Sequence, residues 1–329
     1  MSRIRLDDAK SSYFTKTSNK SLIFIPSGST QLDLVLGGGW PLRRISNVVG
    51  DKSTGKTQLA IEAMINFLKM YPNGVVEYQE VESAFDIPYA EELGLDVSRV
   101  KILEDVETVQ GTMEAIDLFL KKVNKKEQPG FRIIDTLDGI YDSDSNTLEE
   151  GYDKARRANN INSLITKSVG KFKRANAHQM IISQVRYNIG VTFGDKYTRS
   201  GGKAMDFYIS QCLWLSEIKK IVRTIGKIKK DVAIRVRAKC KKNKVGLPYR
   251  ECEFPVVFGY GIDNITSCIE WLNLIGCLDE LEDSDMKLSK LINRIKSGDK
   301  EMYKKMVKLT RKKWFEIETK FLPKYKKYD

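Results

Sequence analysis

The chain has 329 residues, 41% of them apolar and 30% charged, with a formal net charge of +13. That length buries one large core with room for a small second unit, and no run approaches the roughly 18 apolar residues of a membrane span. Five scattered cysteines without a C-x-x-C pair argue against a disulfide framework and point to reduced thiols in a cytoplasm. A single histidine, His178, argues against a histidine-built metal centre or triad and is expected to be a structural or surface residue.

Residues 1–26 read as a short appendage without the apolar segment of a signal peptide. Residues 26–33 read as a turn and a helix start, and Gly37, Gly38 and Gly39 before Trp40 and Pro41 mark a sharp break. Strand and helix then alternate. Short apolar strands are expected at 45–49, 75–79, 131–134 and 180–183, with helices at 56–69, 83–93, 109–123 and 148–174. This is the pattern of an α/β fold, a mostly parallel sheet with helices on both faces. Further strands at 212–215, 232–238 and 253–258 are more closely spaced and predict an antiparallel extension. Over 232–238, apolar and other positions alternate, so one face is expected buried and the other basic and wet. A small helical unit is expected from about residue 265, basic and dotted with aromatics. From Ser284 to Asp329 there are 15 Lys/Arg and 6 Asp/Glu, which favours a polyanion partner or, more plainly, a solvated helical face.

Gly50, Asp51, Lys52, Ser53, Thr54, Gly55, Lys56 and Thr57 complete G-x-x-x-x-G-K-T between the apolar run 45–49 and a helical run. In that strand–loop–helix setting the motif is a phosphate loop for a nucleoside triphosphate with magnesium. Backbone N–H groups at a helix N-terminus cradle phosphates. Lys56 supplies a charge to the β and γ phosphates, and Thr57 offers its hydroxyl to magnesium. Asp135, closing the strand 131–134, is placed to hold that metal through water. The attacking water needs a base or positioner. Glu80 and Glu82 both follow the second strand, and chemistry alone leaves the choice between them open.

After the strand 180–183 comes Gln184-x-Arg186 and a long loop with four glycines, Ile189, Phe193 and further cations. A loop of that length belongs on the surface. Its mixture of cations and apolar groups suits a strand-like nucleic acid, with charges on phosphates and apolar groups on bases. An active-site lid is the alternative.

In chain order, residues 26–39, 82–96, 182–208 and 239–248 resemble the corresponding stretches of the bacterial RecA recombinases. The resemblance runs from about residue 22 to at least 260. It implies a RecA-like P-loop ATPase core at 27–264, an N-terminal oligomerisation arm at 1–26 and a basic C-terminal domain at 265–329. It implies that Glu82 activates the water, that Tyr89 lies on the adenine with Asp86 near its amino group, and that Gln184 senses the γ phosphate. Ile189 would wedge between bases and Arg186 grip the backbone. Gly190, Phe193, Lys196 and Arg199 would belong to the same DNA loop, and Gly201 and Gly202 would hold backbone contacts to DNA. Lys242 and Lys244 would reach a neighbour's nucleotide. The implied function is ATP-dependent homologous recombination by a DNA-dependent ATPase. It would form a homo-oligomeric helical filament on single-stranded DNA, pair that strand with homologous double-stranded DNA, and work with single-strand-binding or loader proteins and no membrane. The implied cofactors are ATP and Mg2+.

Three features differ from the family pattern. Lys52 stands where an acid is usual. The segment after Asp135 is acidic, which moves the expected first-loop DNA contacts to Arg156 or Arg157. The C-terminal part is basic where an acidic tail is common, so easier entry of duplex DNA is expected. These differences suggest a divergent, phage-encoded member. A DNA motor, a recombinase accessory protein and a P-loop small-molecule kinase are the rival readings.

Overall fold

The computed structural model describes residues 22–82, 85–142, 150–187, 197–199, 202–281, 287–323 and 325. The chain enters through β1 (Phe24–Ile25), which pairs antiparallel with β2 (Trp40–Pro41) around α1 (Thr30–Leu36). Ser29 caps α1 by accepting from the Leu32 amide, and Gly37 ends it at a left-handed φ of 83°. The glycine run is needed at Gly39: φ there is 115°, and a Cβ would sit 2.3 Å from the Ile25 carbonyl oxygen.

The core elements follow in alternation: β3 (Ile45–Gly50), α2 (Lys56–Met70), β4 (Val75–Glu80), α3 (Ile87–Glu92), β5 (Val100–Leu103), α4 (Val109–Lys126), β6 (Gly130–Asp135), α5 (Glu150–Arg174) and β7 (Ala177–Tyr187). Then come β8 (Tyr197–Arg199), α6 (Gly202–Tyr208), β9 (Gln211–Ile225), β10 (Ile228–Asn243), β11 (Arg250–Val257) and β12 (Gly261–Ile262). The helices α7 (Asn264–Leu274), α8 (Leu288–Lys296) and α9 (Lys300–Phe321) close the described chain. The sheet order is β12-β11-β10-β9-β3-β7-β6-β4-β5, with β8 on the end of β7. Pairing is parallel from β9 through β3, β7, β6 and β4 to β5. It is antiparallel from β9 through β10 and β11 to β12. This is the α/β architecture expected from the sequence.

β3, β4 and β6 are buried along their whole length, as parallel strands covered on both faces must be. One face packs on α1 and α2 through Leu32, Leu59, Met64 and Phe67. The other packs on α4, α5 and α6 through Ile116, Phe119, Leu164, Phe172 and Met205. A polar ladder crosses the middle of the sheet. Fully buried Arg132 donates to Glu77 at 2.8 Å, Gln79 at 2.6 Å and Gln179 at 3.3 Å. Breaking a buried pair of this kind by removing one partner costs about 3–5 kcal/mol. Glu77 is thus consumed in the sheet. His178 is structural: it is fully buried, faces Pro41 O at 2.8 Å through Nδ1 and stacks on Phe131.

Several elements differ from the sequence expectation. β5 was not foreseen, because an edge strand of four residues with an exposed Lys101 carries little pattern. The helix expected at 83–93 begins at Ile87, where Asp86 caps it by accepting from the Tyr89 amide at 3.0 Å. β9 and β10 run far beyond 212–215 and 232–238 as a two-stranded ribbon, because cross-strand bonding extends past the region that β3 and β11 cover. Within 232–238 the expected burial holds at Ile234, Val236 and Ala238, but Ala233 is buried too, next to a bulge between Asp231 and Ala233.

α9 is tied to the sheet. Trp314 is 8% exposed and packs against Trp271, with ring centroids 5.8 Å apart. Glu318 accepts from Arg250 at 2.8 and 2.5 Å. Among the described residues, no helix is long and apolar enough to cross a membrane.

Candidate nucleotide site and nucleic-acid loop root

β3 ends at Gly50, and the chain turns through residues 51–55 into α2. Ser53 (φ 58°) and Gly55 (φ 85°) take the left-handed conformation, which curls the loop over the helix end. A Cβ on Gly50 would lie 2.3 Å from Thr54 Oγ1, and that hydroxyl is already committed to Asp51 O at 2.8 Å. Gly55 is the N-cap of α2 and brings no side-chain cap bond. A 15-residue helix therefore presents its first amides uncapped, where its dipole favours an anion.

Lys56 Nζ rests on Asp51 O at 2.7 Å, and burial lowers its pKa against the opposing pull of Asp135 and Glu82. Asp51 Oδ1 accepts from the Lys52 amide at 2.7 Å. Thr57 Oγ1 donates to Asp135 Oδ2 at 2.7 Å, and Tyr78 Oη donates to the same oxygen at 2.5 Å. Burial raises the Asp135 pKa against these two bonds. A hydroxyl and a buried carboxylate side by side next to an uncapped helix end suit Mg2+, which takes few protein oxygens and completes its shell with water and phosphate. Among the described residues, no group of three His, Cys, Asp or Glu could hold a metal.

The tips of β4, β6 and β7 meet beside the loop. Gly50 and Gln184 are register partners. Glu82 is exposed, and its Oε1 accepts from Thr136 Oγ1 at 2.7 Å and from Gln184 Nε2 at 2.6 Å. Glu80 is buried at 6% exposure, and its Oε1 accepts from the Glu82 amide at 2.9 Å. Glu80 shapes the turn, whereas Glu82 faces the site. Asp138, which sequence reasoning missed, binds the other side of the junction. Its Oδ2 accepts from the Gln184 amide at 2.7 Å, and its Oδ1 from Arg186 at 3.0–3.1 Å. The available signal was the acidic run after Asp135. Thr136 and Tyr78 were also missed, and nothing in their spacing marks them.

The remaining expected residues fall in separate places. Tyr89 Oη donates to Gln58 Oε1 of α2 at 2.6 Å, and Asp86 caps α3. Lys242 and Lys244 lie at the end of β10, donating to the Asp206 and Phe207 carbonyls of α6. Neither bonds to the chain's own phosphate loop. Burial and the charge of Lys244 push the Lys242 pKa down to about 8. Arg156 pairs with Asp142 at 3.0 Å, and Arg157 donates to Asp138 O and Ile140 O. Arg199 is 8% exposed and pairs with the exposed Asp206 at 2.7 Å. Gly202 opens α6. Ile189, Gly190, Phe193, Lys196 and Gly201, together with residues 1–21 of the expected arm, lie outside the described residues.

The RecA N-terminal domain family matches residues 9–263. The chain belongs to the RecA family. It is 32% identical over 246 residues to the protein RecA of Gloeobacter violaceus, covering 74% of this chain and 63% of that protein. It is 30% identical over 251 residues to protein RecA of Gloeothece citriformis, covering 75% and 67%. With protein RecA of Prochlorococcus marinus (strain NATL1A) the identity is 29% over 260 residues, covering 79% and 63%. The chain thus spans about two thirds of the length of these RecA relatives. At this identity it is a divergent member.

Proposed function

We propose that this protein is an ATP-dependent recombinase that assembles as a helical filament on single-stranded DNA and pairs it with a homologous duplex. The observation that carries the reading is the Gln184–Glu82 hydrogen bond of 2.6 Å. It joins the residue at the root of the nucleic-acid loop to the carboxylate beside the phosphate loop.

In this reading the uncapped amides of α2 and Lys56 bind the triphosphate of ATP, and Lys56 leaves Asp51 O to do so. Thr57 and Asp135 would hold Mg2+, which would supply charge neutralisation on the phosphate oxygens. Glu82 orients the attacking water and accepts its proton. Thr136 keeps that carboxylate in place. Gln184 leaves Glu82 when a γ phosphate competes for its amide, which couples the phosphate state to the grip on DNA. Tyr89 lies on the adenine, with Asp86 nearby.

Lys242 and Lys244 complete the site of an adjoining copy, so ATP favours assembly. Contacts of that head-to-tail kind give an open helix. Residues 1–26 form the arm, 27–264 the ATPase core and 265–329 a basic C-terminal unit. Arg186, Ile189, Gly190, Phe193, Lys196, Gly201 and Gly202 provide the DNA surface, and the protein works in a cytoplasm. Turnover of ATP with and without single-stranded DNA tests this. Strong stimulation is expected, and turnover indifferent to DNA would end the reading.

A further inference from the structure

We propose that Asp138 stands in for a nucleic-acid phosphate, holding the Arg186 guanidinium until a DNA phosphate takes its place. The inference rests on the DNA-binding reading above and adds a residue that restrains it. Arg186 Nε and Nη2 reach Asp138 Oδ1 at 3.1 and 3.0 Å. That is the edge a guanidinium also offers to phosphate. The Arg186 side chain is 50% exposed and that of Asp138 only 9%, so the cation faces solvent while its anion sits beneath it. The second oxygen of Asp138 accepts from the Gln184 amide at 2.7 Å.

Asp138 is itself anchored. Arg157 donates to its carbonyl at 2.6 Å and to Ile140 O at 2.7 Å. Burial, and then the nearby charge of Arg186, lower the Arg157 pKa, so two guanidiniums share the neighbourhood of one carboxylate. Without its charge, two close cations would be left at the root of the loop, an arrangement that attracts phosphate. With it, DNA must exchange one anion for another at Arg186. The same exchange loosens the carboxylate that clamps the Gln184 backbone, and the Gln184 side chain is the one on Glu82. Asp138 is therefore a positioning residue that links capture of the strand to placement of Gln184.

The test is binding of a fluorescein-labelled oligo-dT strand to the full chain with a non-hydrolysed ATP analogue, across a range of KCl concentrations. Asp138→Asn keeps the shape and an acceptor but removes the charge. It should bind about two- to fivefold tighter at low salt. Its plot of log affinity against log salt should be steeper by about 0.7, the increment for one added cation on a single strand. Asp138→Ser should show the same steepening. Both changes should vanish in an Arg186→Ala background, which a merely structural role for Asp138 would not produce. Wild-type affinity and slope in Asp138→Asn, or an increment that survives Arg186→Ala, would overturn the proposal. A wild-type chain that ignores the strand altogether would remove the DNA reading and this proposal with it, a result visible without any variant.

Discussion

Glu82→Gln separates the two carboxylates that sequence chemistry left tied. The substitution keeps an oxygen to accept from Thr136 and Gln184, now at 2.7 and 2.6 Å from Glu82 Oε1, so the local geometry should persist. What it removes is the ability to take a proton. A positioned general base contributes about 10²- to 10⁴-fold, so turnover in saturating single-stranded DNA should fall by that factor, about 3–5 kcal/mol of barrier. Binding of a fluorescent ATP analogue should stay within a few-fold. Glu80→Gln is the control. Glu80 is 6% exposed and accepts from the Glu82 amide, a bond the amide oxygen of Gln can still accept, so stability should change by no more than about 1 kcal/mol and turnover only a few-fold. The assay is phosphate release alongside urea unfolding for both variants. Silenced turnover in Glu80→Gln with near-normal turnover in Glu82→Gln would refute the assignment.

Gly50→Ala should weaken ATP binding about tenfold, because its Cβ would meet Thr54 Oγ1 at 2.3 Å and relieving such overpacking costs about 1–3 kcal/mol; titration calorimetry reads it, and unchanged affinity would count against the loop geometry. Trp314→Ala should destabilise the whole chain by about 3–5 kcal/mol, since this side chain of α9 belongs to the same buried cluster as Leu59 and Phe67; an unmoved main urea transition would show that α9 is independent of the core. A cut near residue 310 would likewise remove Trp314 and the Glu318 partner of Arg250, so a tail test of duplex entry needs charge substitutions instead. Acid stability should reflect two opposed groups. Burial lowers the His178 pKa from 6.5 to about 4, so the unfolded chain binds the extra proton and about 3 kcal/mol is lost as pH falls from 6.5 to 4. Burial raises the Asp33 pKa from 3.8 to about 6, so the folded chain binds the extra proton and its contribution grows as pH falls through 6. Asp33→Asn should therefore show a steeper loss of stability between pH 6 and 4 in urea melts; a shallower one would contradict the signs.

Much of the fold was legible because parallel strands covered on both faces are buried along their length and so read as short, mostly apolar runs, even with Glu77, Gln79 and Arg132 among them. The runs at 45–49, 75–79 and 131–134 all sit within β3, β4 and β6. The phosphate loop was legible because glycine and lysine spacing reports a backbone shape as well as a chemistry. β5 escaped because an edge strand buries too little to impose a pattern. The ribbon of β9 and β10 escaped because its outer part, with Val222, Ile225 and Ile228 exposed, is held by cross-strand pairing that leaves no burial period. Asp138 was hidden for another reason. Its partners Gln184 and Arg186 come from a different strand, 46 and 48 residues on, and an acid in an acidic run looks like solvent-facing charge until the sheet brings β6 beside β7. Arg199 likewise reads as a loop cation, but it closes the short β8 and pairs with Asp206 of α6.

In the proposed mechanism, the occupant of the phosphate loop sets the grip on nucleic acid through Glu82 and Gln184. The most direct measurement is the affinity of the full chain for a single-stranded oligonucleotide with and without a non-hydrolysed ATP analogue, at one fixed salt concentration. The analogue should tighten binding about 5- to 150-fold, the usual range for coupled sites. Equal affinity in its presence and absence, with the analogue shown to be bound, would contradict the account.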